Sequence, residues 1–307
     1  MTKQKSHDDV LAPFHPTSPR EVPVDRRIDF VILFDVNEGN PNGDPARNNT
    51  PRTDPYDGRG LVTDVAIKRR VRDYLTDQCG YEVFITRKAI SLNALLKEVS
   101  DTIDPTKKTG KKGKAATEER AARAEALCRR FIDVRLFGAM AETGDTPAGR
   151  VRGPVQLTMA RSLHPINISK HQITRIALTK DGDMEKGSTM SDENGRQIIK
   201  YACYRMIGTF TPSQAQKTGL SPKDLGQFFD ALVRFWAHDR ASARGVMGCR
   251  GIFLAIHDTQ DGRCHAQDLV NAVQVEGGQD AWGTATVTKG QPGVSWWSYG
   301  FDGLQAL

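Results

Sequence analysis

Apolar and polar positions alternate along this chain in rhythms that change from segment to segment. Ile28 to Val36 is a near-continuous apolar run containing Phe30, Val31, Ile32, Leu33 and Phe34, which predicts a buried central strand. The run gives way to Asn37, Gly39, Asn40, Pro41, Asn42 and Gly43. Glycine and asparagine tolerate positive φ and proline fixes φ, so the chain must turn there. A polar loop follows through Arg47, Asn48, Asn49, Arg52 and Arg59. The next apolar spacing is helical, from Thr63 to Cys79, with Ile67, Val71, Tyr74 and Leu75 on one face. Tyr81 to Thr86 predicts a short strand and Ile90 to Leu96 a short helix. Ala115 to Leu136 predicts a helix with Leu127, Phe131 and Val134 on one side. Val155 to Ser162 alternates as a strand does, and Ile173 to Leu178 predicts one arm of a hairpin whose other arm is Gln197 to Phe210. The clearest helix runs from Ser221 to about Asp239. Ser221 suits the N-cap and Pro222 the first turn, and Leu225, Phe228, Phe229, Leu232 and Trp236 form a core-facing stripe. Gly251 to His257 reads as the last buried strand, and a short helix follows from Asp268 to Val273.

With residues 90–145 set aside as a helical insertion and 168–200 as a projecting hairpin, the remaining order is close to a βαββαβ, ferredoxin-like core. Residues 1–26 hold Pro13, Pro16, Pro19 and Pro23 and few large apolar side chains, so they are expected to form a flexible arm. Residues 27–275 form the expected body, and 276–307 a Gly/Trp-rich C-terminal segment.

Composition narrows the class. A chain of 307 residues with 38% hydrophobic and 26% charged residues can bury a sizeable core. No apolar run is long enough to span a membrane, and the first ten residues lack a signal-peptide core, so a cytoplasmic location is expected. Five scattered cysteines without a CxxC pair argue against disulfides and a structural zinc. The net charge of +6 and pI near 9.1 favour a polyanionic partner.

The chemistry on offer is anion binding. Loop amides, asparagine side chains and guanidiniums between Asn40 and Arg59 all donate to phosphate oxygens. No GxGxxG is present, and the lysine run Lys107 to Lys114 lacks P-loop spacing, so a nucleotide cofactor is not expected. That run, KKTGKKGK, would strengthen binding to a nucleic-acid strand by counterion release. Asp35, Asp44, Asp54, Asp57 and Asp64 offer carboxylates to a divalent ion, but loop aspartates more often cap turns and helices. The acidic stretch after Asp181 lacks the glycine of a calcium loop, carrying Lys186 instead. Arg161, Arg244 and Arg250 fall at element ends, where a backbone is readily gripped. Aromatics make up 7% of residues and fall on core faces, which predicts backbone tracking rather than base stacking.

Several motifs carry a resemblance. FDVNEGNPNGDP and PRTDPYDGRGLVTDVAIKRRVRDY, then RLFGA, GPVQLTMARSLHPI, ITR, TGLSPKDL, HDRASARG and GIFLAIHD, resemble the backbone subunit of the type I-C CRISPR surveillance complex, Cascade. This is the Cas7 (Csd2) family of the RAMP superfamily, and the likeness runs from residue 27 to about 275. It implies an α+β fold: a modified RRM or ferredoxin-like palm with a helical finger insertion (90–145) and a projecting β-hairpin thumb (168–200). It implies copies stacked head to tail as a helical filament along a CRISPR RNA. Each thumb would displace a base, and the guide would be presented for pairing with target DNA in antiviral defence. Other implied partners are a Cas5-type foot subunit that processes the guide, a Cas8-type large subunit and a small subunit. Carried over by motif, the RNA contacts are Asn40, Asn42, Gly43, Arg47, Arg52, Arg59, Lys68, Arg69, Arg161, Ser162, Arg244 and Arg250. Lys107, Lys108, Lys111, Lys112 and Lys114 are assigned to target DNA from charge. The thumb sequence, TMSDENGRQIIKYACYR, departs from the family pattern and leaves the base-displacing residue unnamed. No catalytic residue, metal or cofactor is implied. The alternatives are a metal-dependent RAMP endoribonuclease using Asp35 or Asp44, and a stand-alone RNA-binding module.

Overall fold

The computed structural model describes residues 9–103, 114–171 and 195–307. The apolar run becomes β1 (Ile28–Gly39), flanked on both sides by long strands from much later in the chain. Along the sequence there follow β2 (Arg59–Val62), α1 (Asp64–Asp77), α2 (Leu92–Ile103), α3 (Lys114–Arg130) and α4 (Ile132–Phe137). Next come β3 (Val155–Leu157), β4 (Ala160–Pro165), β5 (Ile168–His171), β6 (Arg196–Phe210) and α5 (Pro212–Thr218). The last elements are α6 (Pro222–His238), β7 (Val246–His257), α7 (Ala266–Ala272), β8 (Val294–Gly300) and β9 (Gly303–Ala306). The nine strands form one antiparallel sheet among the described residues, in the order β9-β8-β7-β1-β6-β4-β2, with β3 and β5 also on β6.

Strand periodicity sorts β1 onto two faces. Ile28, Phe30, Ile32, Phe34 and Val36 join the cluster made with α1 and α6, where Phe34 stacks on Tyr204 at 5.2 Å and on Trp236 at 4.9 Å. The α6 stripe lies where its spacing predicts. Ser221 and Asp224 close a reciprocal capping box, with Pro222 in the first turn. Val31 and Leu33 point the other way, under Leu269, Val270 and Ala272 of α7 and Trp296 of β8. A third cluster is separate: Leu95, Leu96 and Val99 of α2 meet Leu127, Phe131, Val134 and Phe84.

Several expectations are corrected. Tyr81 to Thr86 is not a strand. Its donors go to a buried carboxylate instead, because Asp133 accepts from Phe84 N at 2.7 Å and Ile85 N at 3.2 Å. The helix expected over Ala115 to Leu136 breaks at Phe131, whose extended backbone (φ −106°, ψ 118°) opens α4. The helix near Ile90 is longer than expected, Leu92–Ile103. Val155 to Ser162 is two strands, parted at Thr158 and Met159. β7 begins five residues earlier than Gly251.

The N-terminal arm is not loose over the residues described. Val22 is fully buried, Phe14 meets Trp297 edge-on at 5.7 Å, and Leu11 N bonds Asp258 O at 2.7 Å. Gly226 of α6 admits the arm so closely that a Cβ there would collide with the Arg20 carbonyl. The C-terminal segment extends the main sheet, with Trp297 opposite Leu254 and Tyr299 opposite Ile252. Ile173 to Leu178, residues 181–194 of the hairpin expected at 168–200, and Lys107 to Lys112 lie outside the described residues, and of Lys114 only the helical backbone is described. Among the described residues no helix is long and apolar enough to cross a membrane.

Candidate nucleic-acid interface

α7 covers only one end of the sheet face opposite α1 and α6. Toward the C-terminal end of β1 that face carries polar groups. Directly opposed residues in an antiparallel ladder share a face. One row therefore runs Leu33, Arg205, Arg161, Leu61, and the next holds Asp35 beside Cys203 and Gly248. Asn37 faces Tyr201 one row further on. Burial drives the Cys203 thiol up to about 12, with the charge of Asp35 adding to it, so it is a packing group here.

Asp35 is the anchor of this face. Its side chain is 3% exposed and its Oδ2 accepts from Arg250 Nε at 2.7 Å and from Tyr201 OH at 3.0 Å. Arg250 is the extra residue of a β-bulge: Leu33 pairs with Gly251, and Phe34 with Cys249. The bulge aims its guanidinium across the face while leaving it 41% exposed. Burial of Asp35 also has a cost that only a charged partner offsets, so the pair holds itself together. Arg205 spends Nη2 on Val273 O at 2.9 Å, and its Nε is buried without a partner among the described residues. Burial, and in smaller part the charge of Arg59, lower its pKa.

The loop after β1 folds into a short ribbon, Gly43–Asp44 against Thr50–Pro51, with Asn48 and Asn49 at φ 50° and 55°. Asn42 Oδ1 accepts from Thr63 N and Oγ1, both at 3.0 Å, while Thr63 caps α1. Asn40 Nδ2 donates to Asn49 O at 2.6 Å, and its Oδ1 is buried without a partner among the described residues. Gly43 sits where a Cβ would meet Asn49 O at 2.7 Å. Arg47 is exposed beside the ribbon, Arg52 Nη1 lies 3.6 Å from Asp44 Oδ1, and Thr50 reaches β6 through Gln197 at 2.8 Å. Arg70 ties the loop to the helix layer. It donates to Pro41 O at 2.6 Å and to Asp239 at 2.5 Å, and burial lowers its pKa to about 10.

The sequence-predicted residues thus divide. Asn40, Asn42, Gly43, Arg47 and Arg52 share the loop. Arg59, Arg161 and Arg250 share the open face, with Arg59 42% exposed and 3.4 Å from Asp57. Lys68 and Arg69 do not join them: they lie on α1 in the opposite layer, paired to Asp64 at 2.9 Å and Asp73 at 3.1 Å. Arg244 is bridged to Asp239, the same carboxylate that holds Arg70. Ser162 is buried, its Oγ accepting from Gly60 N at 2.8 Å and donating to His164 O, so no hydroxyl is left to present. Arg161 is exposed but committed, bridging Asp54 and Asp57 at 2.8 Å each. Sequence reasoning missed Arg205 and Tyr201. The signal was there, since both alternate along β6 in phase with Cys203 and Ile207. Among the described residues no three His, Cys, Asp or Glu side chains are gathered as metal ligands usually are.

Comparison with known proteins adds an independent observation. A protein of Haloferax volcanii described as CRISPR-associated protein Cas7 is 25% identical over 269 residues, covering 81% of this chain and 75% of its own. A chain of a solved CRISPR RNA-guided surveillance complex in a pre-nicking form is 16% identical, with a TM-score of 0.48 over 75% of this chain and 78% of that one. A chain of a second such complex has a TM-score of 0.44 at 16% identity, covering 75% of this chain and 69% of its own. The family model described as CRISPR-associated protein Cas7 matches residues 26–289. The chain therefore belongs to the CRISPR-associated Cas7 family.

Proposed function

We propose that this protein is a non-catalytic subunit that binds a CRISPR RNA along its backbone and assembles head to tail with further copies of itself. In this reading it forms the spine of a type I-C Cascade and holds the guide for pairing with target DNA. Its palm would be ferredoxin-like: β1, β4, β6 and β7, with α1 after the first strand and α6 after the third, stand in the order β7-β1-β6-β4. The helical unit of α2 and α3 would serve as fingers, and the segment between β5 and β6 as the thumb. Foot (Cas5-type), large (Cas8-type) and small subunits would complete the assembly.

The observation that carries this reading is the family match over residues 26–289, joined to an arginine-lined face that α7 leaves open. Guanidiniums held by neighbouring carboxylates suit a phosphodiester chain, because phosphate contacts position a strand without reading its sequence. The carboxylates of β1 and of the loop after it are turned to structure: Asp44 accepts from Ala46 N at 3.2 Å, and Asp35 holds Arg250 and Tyr201.

The test is one sample of purified protein with a repeat-containing CRISPR RNA, split between Mg²⁺ and EDTA, in which complex mass and RNA length are both recorded. A stepwise series of masses on intact RNA is expected. RNA shortened only with Mg²⁺ would replace this reading with the endoribonuclease. One protein per RNA, uncut, would replace it with a stand-alone binding module.

A further inference from the structure

Tyr56 is 96% exposed, more than any other large hydrophobic side chain among the described residues. It stands at the tip of the Asp54–Gly58 turn, beside the edge strand β2. The turn under it is braced from every side. Asp54 Oδ1 accepts from Tyr56 N at 2.9 Å, Gly58 N bonds Asp54 O at 2.9 Å, and Asp54 N bonds Arg59 O at 2.8 Å. Gly58 takes φ +70°, a conformation most side chains avoid, and its carbonyl accepts from Ile166 N at 3.0 Å. Arg161 then clamps the turn from the sheet through Asp54 and Asp57. Hydrogen bonds from Tyr56 N and from Arg161 hold the Asp54 carboxyl below its ordinary range, the direction expected for a persistent clamp.

Folding has no use for this ring, yet its backbone is held rigid. An aromatic on a fixed backbone has two torsions left to immobilise, so contact through its face costs little entropy. The charges under it balance, with Arg59 and Arg161 against Asp54 and Asp57, so a phosphate chain passing the turn is not repelled. Arg161 shares its sheet row with Arg205, which places the turn at the border of the open arginine face.

We propose that Tyr56 is a stacking post for an unpaired base of single-stranded RNA, and that Arg161 is a positioning residue that holds the post upright. This rests on the guide-binding reading above. Any base offers a π-face, so the post would be indifferent to sequence and would register the strand by position.

The test uses the full chain with a short RNA that accommodates one copy, carrying 2-aminopurine at successive positions. Wild-type protein and Tyr56→Phe should quench the fluorescence at one position. Tyr56→Ala should lose that quench and bind about tenfold more weakly, with an unchanged salt slope because no charge is removed. Its melting temperature should stay at the wild-type value, since the ring supports no core. Arg161→Gln should lose the same quench, and adding Tyr56→Ala to it should cost little more. If Tyr56→Ala binds and quenches like wild type while Arg59→Gln with Arg250→Gln weakens binding, the stacking post is wrong and the guide-binding reading stands. If Tyr56→Ala keeps its single-copy affinity but shortens the mass series on long RNA, the ring meets a neighbouring copy and the proposal is overturned. If wild-type protein binds no RNA, both fall together.

Discussion

A single buried carboxylate decides what the open face can do. Asp35 is shielded from water and holds the Arg250 guanidinium at 2.7 Å. Asp35→Asn keeps the shape and removes the charge that fixes Arg250, so RNA affinity should fall severalfold in a titration. If Asp35 were instead a catalytic group, the same change would abolish cleavage and leave affinity intact. At the other end of β1, Asp29 accepts from Arg27 Nη2 at 2.9 Å and sits 3.1 Å from His257 Nε2. Burial pushes its pKa up, but the hydrogen bonds from His257 and Arg27 together outweigh it and hold the carboxyl below its ordinary value. A carboxyl lowered in the folded state adds stability above its unfolded pKa of about 3.9, and that stability drains as pH falls through the folded value. Asp29→Asn should therefore melt earlier than wild type at pH 7, and the gap should narrow in thermal scans taken below about pH 4. These two residues also mark how far sequence reading reaches. An aspartate inside an apolar run is visible, but one partner of each, Arg250 for Asp35 and His257 for Asp29, lies more than two hundred residues away.

Among elements, those that carry their own signals were legible. α6 announces its start through Ser221 and Pro222 and its buried face through five spaced apolar residues. The segment from Tyr81 to Thr86 carries strand-like residues, yet local pattern could not show that Asp133 takes its amide protons. Asp133 also receives Arg72 Nε at 2.7 Å and is 1% exposed, so one side chain joins α1, α4 and the Phe84 segment. Asp133→Ala strands a buried guanidinium and two amides, and should cost about 3–5 kcal/mol in denaturant unfolding. The break at Phe131 is likewise tertiary: its ring packs on Phe84 at 5.5 Å within the third cluster, and the chain bends to place it there. The open-face arginines were half legible. Arg250 was expected at an element end but lies inside β7 at its bulge, and only register shows that Arg205 and Arg161 stand side by side.

At the scale of the whole molecule, positive charge is segregated by layer. The α1 cations Lys68 and Arg69 pair with carboxylates four residues away on their own helix, whereas Arg59 and Arg250 stand on the open face of the sheet. Replacing Arg59 and Arg250 with glutamine should flatten the salt dependence of RNA binding by roughly 0.7 for each phosphate no longer neutralised. Replacing Lys68 and Arg69 should leave the slope nearly unchanged. The order of the sheet has a consequence for how the protein is made. β1 is the first strand to leave the ribosome, yet its two neighbours, β6 and β7, are among the last. At about 5–20 residues per second, its apolar run waits roughly 10–40 s for both flanks. Nascent chains arrested at residue 245 should therefore be cut readily by protease within β1, while released full-length chains resist. Cellular yield would then depend on whatever shields one nine-residue apolar stretch during translation.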